Sequence, residues 1–234
     1  MREAPRHARR PSLLGRIVRT VLPGIRRVAA QVAPYARSWD DANATALAST
    51  GPLWIVMGDS TAQGIGAPTY DQGYVGQVRL ALDAQRGEDG PWRVLNWSRS
   101  GARCADVVRN QLPRLESLDV EPALVTVAIG ANDVYRTPLD EVIVQMREIL
   151  GRLPEQAVIA TLPQGLRPQK AEAVNAVIRS EGPAVGLRVA DVWARTGPPW
   201  RGKFASDNFH PGTRGYADWA AAFMETLGLR PPSA

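Results

Sequence analysis

The chain has 234 residues, 44% hydrophobic and 22% charged, with a formal net charge of +5. That length and balance fit one globular domain burying about 70% of its unfolded surface, and the single cysteine, Cys104, excludes an internal disulfide and a multi-cysteine metal site. The charge is uneven: nine arginines against Glu3 give residues 1–37 a net +8 and leave −3 on the rest, a poor signature for a nucleic-acid-binding domain.

The predicted elements begin inside that basic segment. Leu14, Ile17, Val18, Val21, Leu22, Ile25, Val28, Ala29 and Val32 share one helical face, and Arg16, Arg19, Arg26 and Arg27 fall on the other. The spacing predicts an amphipathic helix from Leu13 to Val32, kinked or divided at Pro23-Gly24, after a disordered stretch at residues 1–10. Its apolar face has two uses: packing on the domain, or peripheral contact with an anionic membrane through residues 12–35. No stretch reaches the ~18–20 apolar residues of a membrane span. Arg16 and Arg19 interrupt the apolar run that an export signal after Arg9-Arg10 would need, so the expected location is cytoplasmic, with or without contact at the membrane surface. The expected division is a basic extension over residues 1–50, partly disordered and partly amphipathic helix, and one domain over 51–234.

Further along, short apolar runs alternate with longer amphipathic ones. Strands are expected at Leu53–Met57, Arg93–Trp97, Leu124–Ile129, Val158–Thr161 and Leu187–Val192, and helices at Gly73–Arg86, Cys104–Leu115, Leu139–Leu153, Gln169–Glu181 and Thr213–Leu227. This alternation predicts a five-stranded parallel sheet covered on both faces, a three-layer αβα domain. Gly58-Asp59-Ser60, Ser98-Arg99-Ser100-Gly101 and Gly130-Ala131-Asn132-Asp133 each follow an expected strand, and Asp207-Asn208-Phe209-His210 precedes the last helix. Ligands in open α/β sheets bind at the carboxyl ends of strands, so the three loops converge on one edge, which the fourth can reach.

Ester cleavage needs a nucleophile, a base, a group that orients the base, and donors for the oxyanion. Ser60 suits the first role; its competing reading is an N-cap for a helix in residues 61–66. His210 suits the second, since the other histidine, His7, lies in the basic segment. Asp207, three residues before it, can hold the imidazole tautomer or simply form an Asx turn. Gly101 and Asn132 suit the oxyanion site, with turn and helix-cap roles as alternatives. Asp59, Asp133 and Cys104 read as structural. One histidine in the domain and no clustered carboxylates leave no zinc set, and Gly64-x-Gly66 lacks the Gly-Lys-Ser/Thr of a phosphate loop. No cofactor is expected.

The four blocks, in this order, resemble those of the SGNH hydrolases, also called GDSL esterases and lipases, over about Leu53 to Leu227. The superfamily letters fall on Ser60, Gly101, Asn132 and His210, with Thr61 where leucine is usual. The resemblance implies a flavodoxin-like fold, a Ser60–His210–Asp207 triad, an oxyanion hole of Ser60, Gly101 and Asn132, and a small-molecule or lipid ester as substrate. Hydrolysis through an acyl-enzyme is the leading expectation; an acyltransferase with the same triad and a non-catalytic module keeping the pocket are the alternatives.

Overall fold

The computed structural model describes residues 23–87, 90–165 and 167–230. Strands β1 (Leu53–Gly58), β2 (Arg93–Asn96), β3 (Leu124–Ala128), β4 (Val158–Ala160) and β5 (Arg188–Ala190) form one sheet in the order β2-β1-β3-β4-β5, with every pairing parallel. β1 is buried along its whole length, as a central strand covered on both faces must be. Trp54 and Val56 face one layer, while Ile55 and Met57 face the other. The buried Trp54 indole donates to Thr126 Oγ1 on β3 at 2.9 Å, which satisfies its only polar atom.

The helices are α1 (Pro23–Ala48), α2 (Tyr74–Arg86), α3 (residues 104–116), α4 (Asp133–Arg136), α5 (Leu139–Arg152), α6 (Pro168–Ala184), α7 (Val192–Arg195) and α8 (Thr213–Leu227). α2 and α8 cover the Trp54 face, where Tyr74 and Phe223 stack with ring centroids 4.8 Å apart. α3, α5 and α6 cover the other through Val107, Leu112, Met146, Ile149, Val174 and Ile178. No helix of the described residues is long and apolar enough to cross a membrane.

Strand ends differ from the sequence expectation by one or two residues, because the last residue of an apolar run often continues into the loop without a ladder partner. A larger difference lies at the N-terminus. Residues 13–22 of the expected helix, and the disorder expected over residues 1–10, lie outside the described residues. From Pro23 the helix runs to Ala48, well beyond Val32, with Pro34 on its exposed side. Val28, Trp39, Asn43 and Ala46 are buried against the domain, and this packing carries the helix through residues that lack a clear apolar period. Asn43 exchanges two hydrogen bonds with the backbone of Asn96 at the end of β2, at 3.0 and 2.8 Å.

Candidate active site

β1 pairs with β2 on one side and β3 on the other, so the chain leaves the sheet in opposite directions around its carboxyl end and opens a crevice there. Ser60 stands at that end, two residues past β1 and 4% exposed. The segment after it is a series of turns, with Gly64 N–H donating to Thr61 O and Ile65 N–H to Ser60 O, both at 3.1 Å. No helix forms over residues 61–66, so Ser60 is not an N-cap. Immediately upstream, Gln111 fixes both backbone groups of Gly58, accepting from its N–H at 2.8 Å and donating to its O at 3.0 Å. Gln111 ends a π-helical stretch, Val107–Gln111, inside α3; Pro113 just beyond lacks the N–H that a regular helix would use.

His210 reaches across from the loop before α8. Its Nε2 lies 3.0 Å from Ser60 Oγ and its Nδ1 lies 2.6 Å from Asp207 Oδ2. Asp207 divides its oxygens: Oδ1 accepts the backbone N–H of Phe209 (3.1 Å) and His210 (3.0 Å), closing an Asx turn, while Oδ2 faces the imidazole. The turn reading and the orienting geometry therefore coexist. Burial raises the Asp207 carboxyl, but hydrogen bonding and charge from His210, with the two backbone donors, outweigh it and hold the group below its ordinary value.

Asn132 is the N-cap residue of α4 by position, yet its side chain makes no cap bond. It turns to the crevice instead. Its amide donates to Ala102 O at 2.9 Å, with a long second contact of 3.4 Å to Asp59 Oδ2. Asp59 is 1% exposed, and its other oxygen accepts from the N–H and hydroxyl of Thr61, each at 2.9 Å. Burial raises the Asp59 carboxyl to about 6 against the effect of those bonds. Asp133 does not cap its own helix either; it accepts from Cys104 N–H at the start of α3 and from the Thr137 hydroxyl. Burial pushes the Cys104 thiol well up, out of the reactive range.

Gly101 has φ +78°, a left-handed conformation natural to glycine, and a Cβ there would meet nothing within 4 Å. It precedes Ala102, whose carbonyl holds Asn132, and follows Ser100, whose N–H donates to Gln63 Oε1 at 3.0 Å. Gly101 is outside the set of residues that lines the cavity, whereas Asp59, Ser60, Asn132 and His210 all line it. The cavity holds about 50 Å³ and is walled by Pro163, Thr196, Trp200, Phe204, Pro211 and Trp219. A Lys203–Asp218 pair at 2.7 Å completes it.

The residues that sequence reasoning passed over are those that hold the loops. Gln111 fixes Gly58, and Gln63 ties the first block to the second. Gln31 on α1 accepts Gly66 N–H at 2.8 Å and donates to Ala67 O at 3.0 Å, and Tyr35 Oη lies 2.9 Å from that same oxygen. Each is a polar side chain on no periodic face, and only the burial of its partner gives it meaning.

The fold recurs in solved structures. An acetyl xylan esterase from Geobacillus stearothermophilus is 21% identical over 80% of this chain and 99% of that one, with TM-score 0.64. A lipase/acylhydrolase from Enterococcus faecalis is 22% identical over 79% and 100%, with TM-score 0.57. A family 3 carbohydrate esterase from Clostridium thermocellum is 18% identical over 74% and 94%, with TM-score 0.54. At such identities the likeness establishes the fold, and no curated protein matches the chain in sequence. The GDSL-like lipase/acylhydrolase profile, however, matches residues 56–217, from within β1 to within α8 and across all four blocks, and the chain thus belongs to that family of ester-hydrolysing enzymes.

Proposed function

We propose that the protein cleaves a carboxylic ester through an acyl-enzyme formed on Ser60. The observation that carries this reading is the unbroken contact from Ser60 Oγ to His210 Nε2 (3.0 Å) and from His210 Nδ1 to Asp207 Oδ2 (2.6 Å). Ser60 Oγ attacks the ester carbonyl while His210 Nε2 takes its proton, and Asp207 holds the ring and stabilises the imidazolium. Negative charge on the former carbonyl oxygen is met by the N–H groups of Ser60 and Gly101 and by the Asn132 amide. One Asn132 proton is engaged by Ala102 O, and the long contact to Asp59 leaves the other for the oxyanion. His210 returns its proton to the leaving alcohol, and water then repeats the sequence on the acyl-enzyme.

A fluorophosphonate probe tests this directly. The adduct is expected on the Ser60 peptide, and Ser60→Ala is expected to abolish labelling and lower turnover by ~10⁶. Labelling of a different serine, or an alanine variant with near-normal activity, overturns the reading. A p-nitrophenyl ester series of increasing chain length then measures how much acyl chain the cavity admits.

A further inference from the structure

Three cations converge on α4, the short helix that carries Asn132 at its start. The Arg167 guanidinium lies over the Tyr135 ring, 5.6 Å from its centroid. The Lys170 ammonium donates to Thr137 O, and Arg103 Nη1 donates to Thr137 Oγ1 at 3.4 Å. From Arg167 an aromatic ledge leads to the imidazole: Tyr135 meets Phe209 at 6.0 Å between centroids, and Phe209 meets His210 at 5.0 Å. Both rings are open to solvent, Tyr135 43% and Phe209 37% exposed. Arg167 thus stands two rings away from the histidine, on the outer side of the cavity mouth.

Elsewhere in the domain Arg79, Arg147, Arg152, Arg179, Arg195 and Lys203 each pair with a carboxylate. Arg103, Arg167 and Lys170 form no such pair, a state they share among the described residues with Arg93, Arg109, Arg136, Arg188, Arg201 and Arg214, and what sets the three apart is their place around α4. The acid of α4 itself, Asp133, is fully buried and engages Cys104 N–H and the Thr137 hydroxyl. Its charge acts on Arg103, but it presents no oxygen to the ledge. The domain is mildly acidic in sum, yet Arg103, Arg167 and Lys170 gather around α4, which itself carries Arg136, with Asp140 and Glu141 following in the first turn of α5. The cavity itself is walled by the apolar side chains of Pro163, Trp200, Phe204 and Trp219.

Resting on the ester-cleavage reading above, the geometry points to a substrate with two unlike parts: an apolar portion that enters the cavity, and a portion bearing a phosphate or carboxylate that lies along the Tyr135–Phe209 ledge and is bound by Arg167 and Lys170. A guanidinium matches such oxyanions with two parallel N–H donors, and an ammonium adds a point charge. Arg103 adds to the positive field. The flat rings carry the linker between ester and anion and exclude water from the contact.

The test compares 1-butyrylglycerol with 1-butyrylglycerol 3-phosphate, both monomeric, by titrating released butyrate. One or two charge-assisted hydrogen bonds correspond to a kcat/KM advantage of roughly ten- to hundredfold for the phosphate ester. That advantage is expected to shrink as ionic strength rises. In the double variant Arg167→Gln, Lys170→Gln the ratio of the two kcat/KM values is expected to fall to about threefold or less; a ratio taken within one protein is insensitive to a loss of folded material. A long-chain monoacyl glycerol phosphate, assayed below and above its aggregation concentration, separates the two sources of the anion. An advantage present in monomers supports a soluble phosphate ester, and one confined to aggregates supports a lipid headgroup. Equal rates for phosphate and neutral esters in both the monomeric and the aggregated assays, or a ratio unchanged in the double variant, overturn the proposal and leave ester cleavage standing. Hydrolysis of neither butyrate, together with inertness toward p-nitrophenyl esters, removes both readings.

Discussion

Asp207 and Asp59 show how one residue type is driven in opposite directions by its neighbours. Asp207 faces an imidazole and two backbone donors, which hold its carboxyl below the ordinary value, so its stabilising contact is present at neutral pH and is lost as pH falls through that lowered value. In Asp207→Asn, Oδ1 can still close the Asx turn, but an amide N–H then faces His210 Nδ1 and stabilises the wrong tautomer. The expected result is a correctly folded protein with kcat reduced by up to ~10⁴; an equal loss of melting temperature and activity would show that the turn matters more than the tautomer. Asp59 is buried, with its carboxyl raised to about 6, so the folded chain keeps a proton that the unfolded chain releases near pH ~4. Stability from this site is therefore greatest below pH ~4 and declines between ~4 and ~6, by about 3 kcal/mol in total. Asp59→Asn is expected to flatten that part of the melting-temperature profile and to raise stability at pH 7. It also turns a donor toward the Asn132 amide, so kcat is expected to fall while KM stays within a few-fold. Parallel wild-type and variant profiles from pH 4 to 7 would show that Asp59 does not titrate there.

At the level of elements, the nucleophile loop is held between α1 and the histidine loop, and Gly66 is where they meet. Its φ is +103°, and a Cβ there would lie 2.4 Å from Pro211 O and 3.0 Å from His210 Cβ, while its N–H donates to Gln31 on α1. In Gly66→Ala, the positive φ alone costs more than about 1 kcal/mol, and the steric contact pushes His210 away from Ser60. A lowered melting temperature and a kcat loss larger than any KM change are expected, measured by thermal unfolding and steady-state kinetics; normal kcat would mean the His210 loop yields without moving the imidazole. This meeting point also marks the limit of what was legible in the sequence. The sheet and its covering helices follow from apolar periodicity, and Ser60, Asp207 and His210 are quotable because only one histidine outside the basic segment precedes a helix at the right place. Gln31, Gln63 and Gln111 carry no such signal. Their partners lie 35, 37 and 53 residues away, and a polar residue at a non-periodic position reads as ordinary surface until the fold buries it. From α1, Gln31 and Tyr35 reach the nucleophile loop and Asn43 reaches the end of β2.

Across the whole molecule the charge is split, with +8 on residues 1–37 and −3 on the remainder. Such a split favours attraction to anionic surfaces through the N-terminal segment. The apolar face expected to enter a membrane is already engaged where it is described: Val28 is 3% exposed, and Ile25, Ala29 and Val32 are half-buried. Membrane contact would then be electrostatic, with little insertion from this part of the helix. Full-length protein is expected to sediment with anionic vesicles at low salt and to be released as the Debye length shortens toward ~8 Å at physiological ionic strength. Deleting residues 1–22 removes six of the nine arginines, so vesicle binding should weaken while melting temperature and hydrolysis of a small soluble ester hold. Deleting residues 1–37 also removes Val28 and the Gln31 and Tyr35 contacts to Gly66 and Ala67, and should lower the melting temperature and turnover together. Binding that survives high salt would require the apolar face to leave the domain for the bilayer, and a longer deletion that spares both stability and activity would show that α1 does not hold the nucleophile loop.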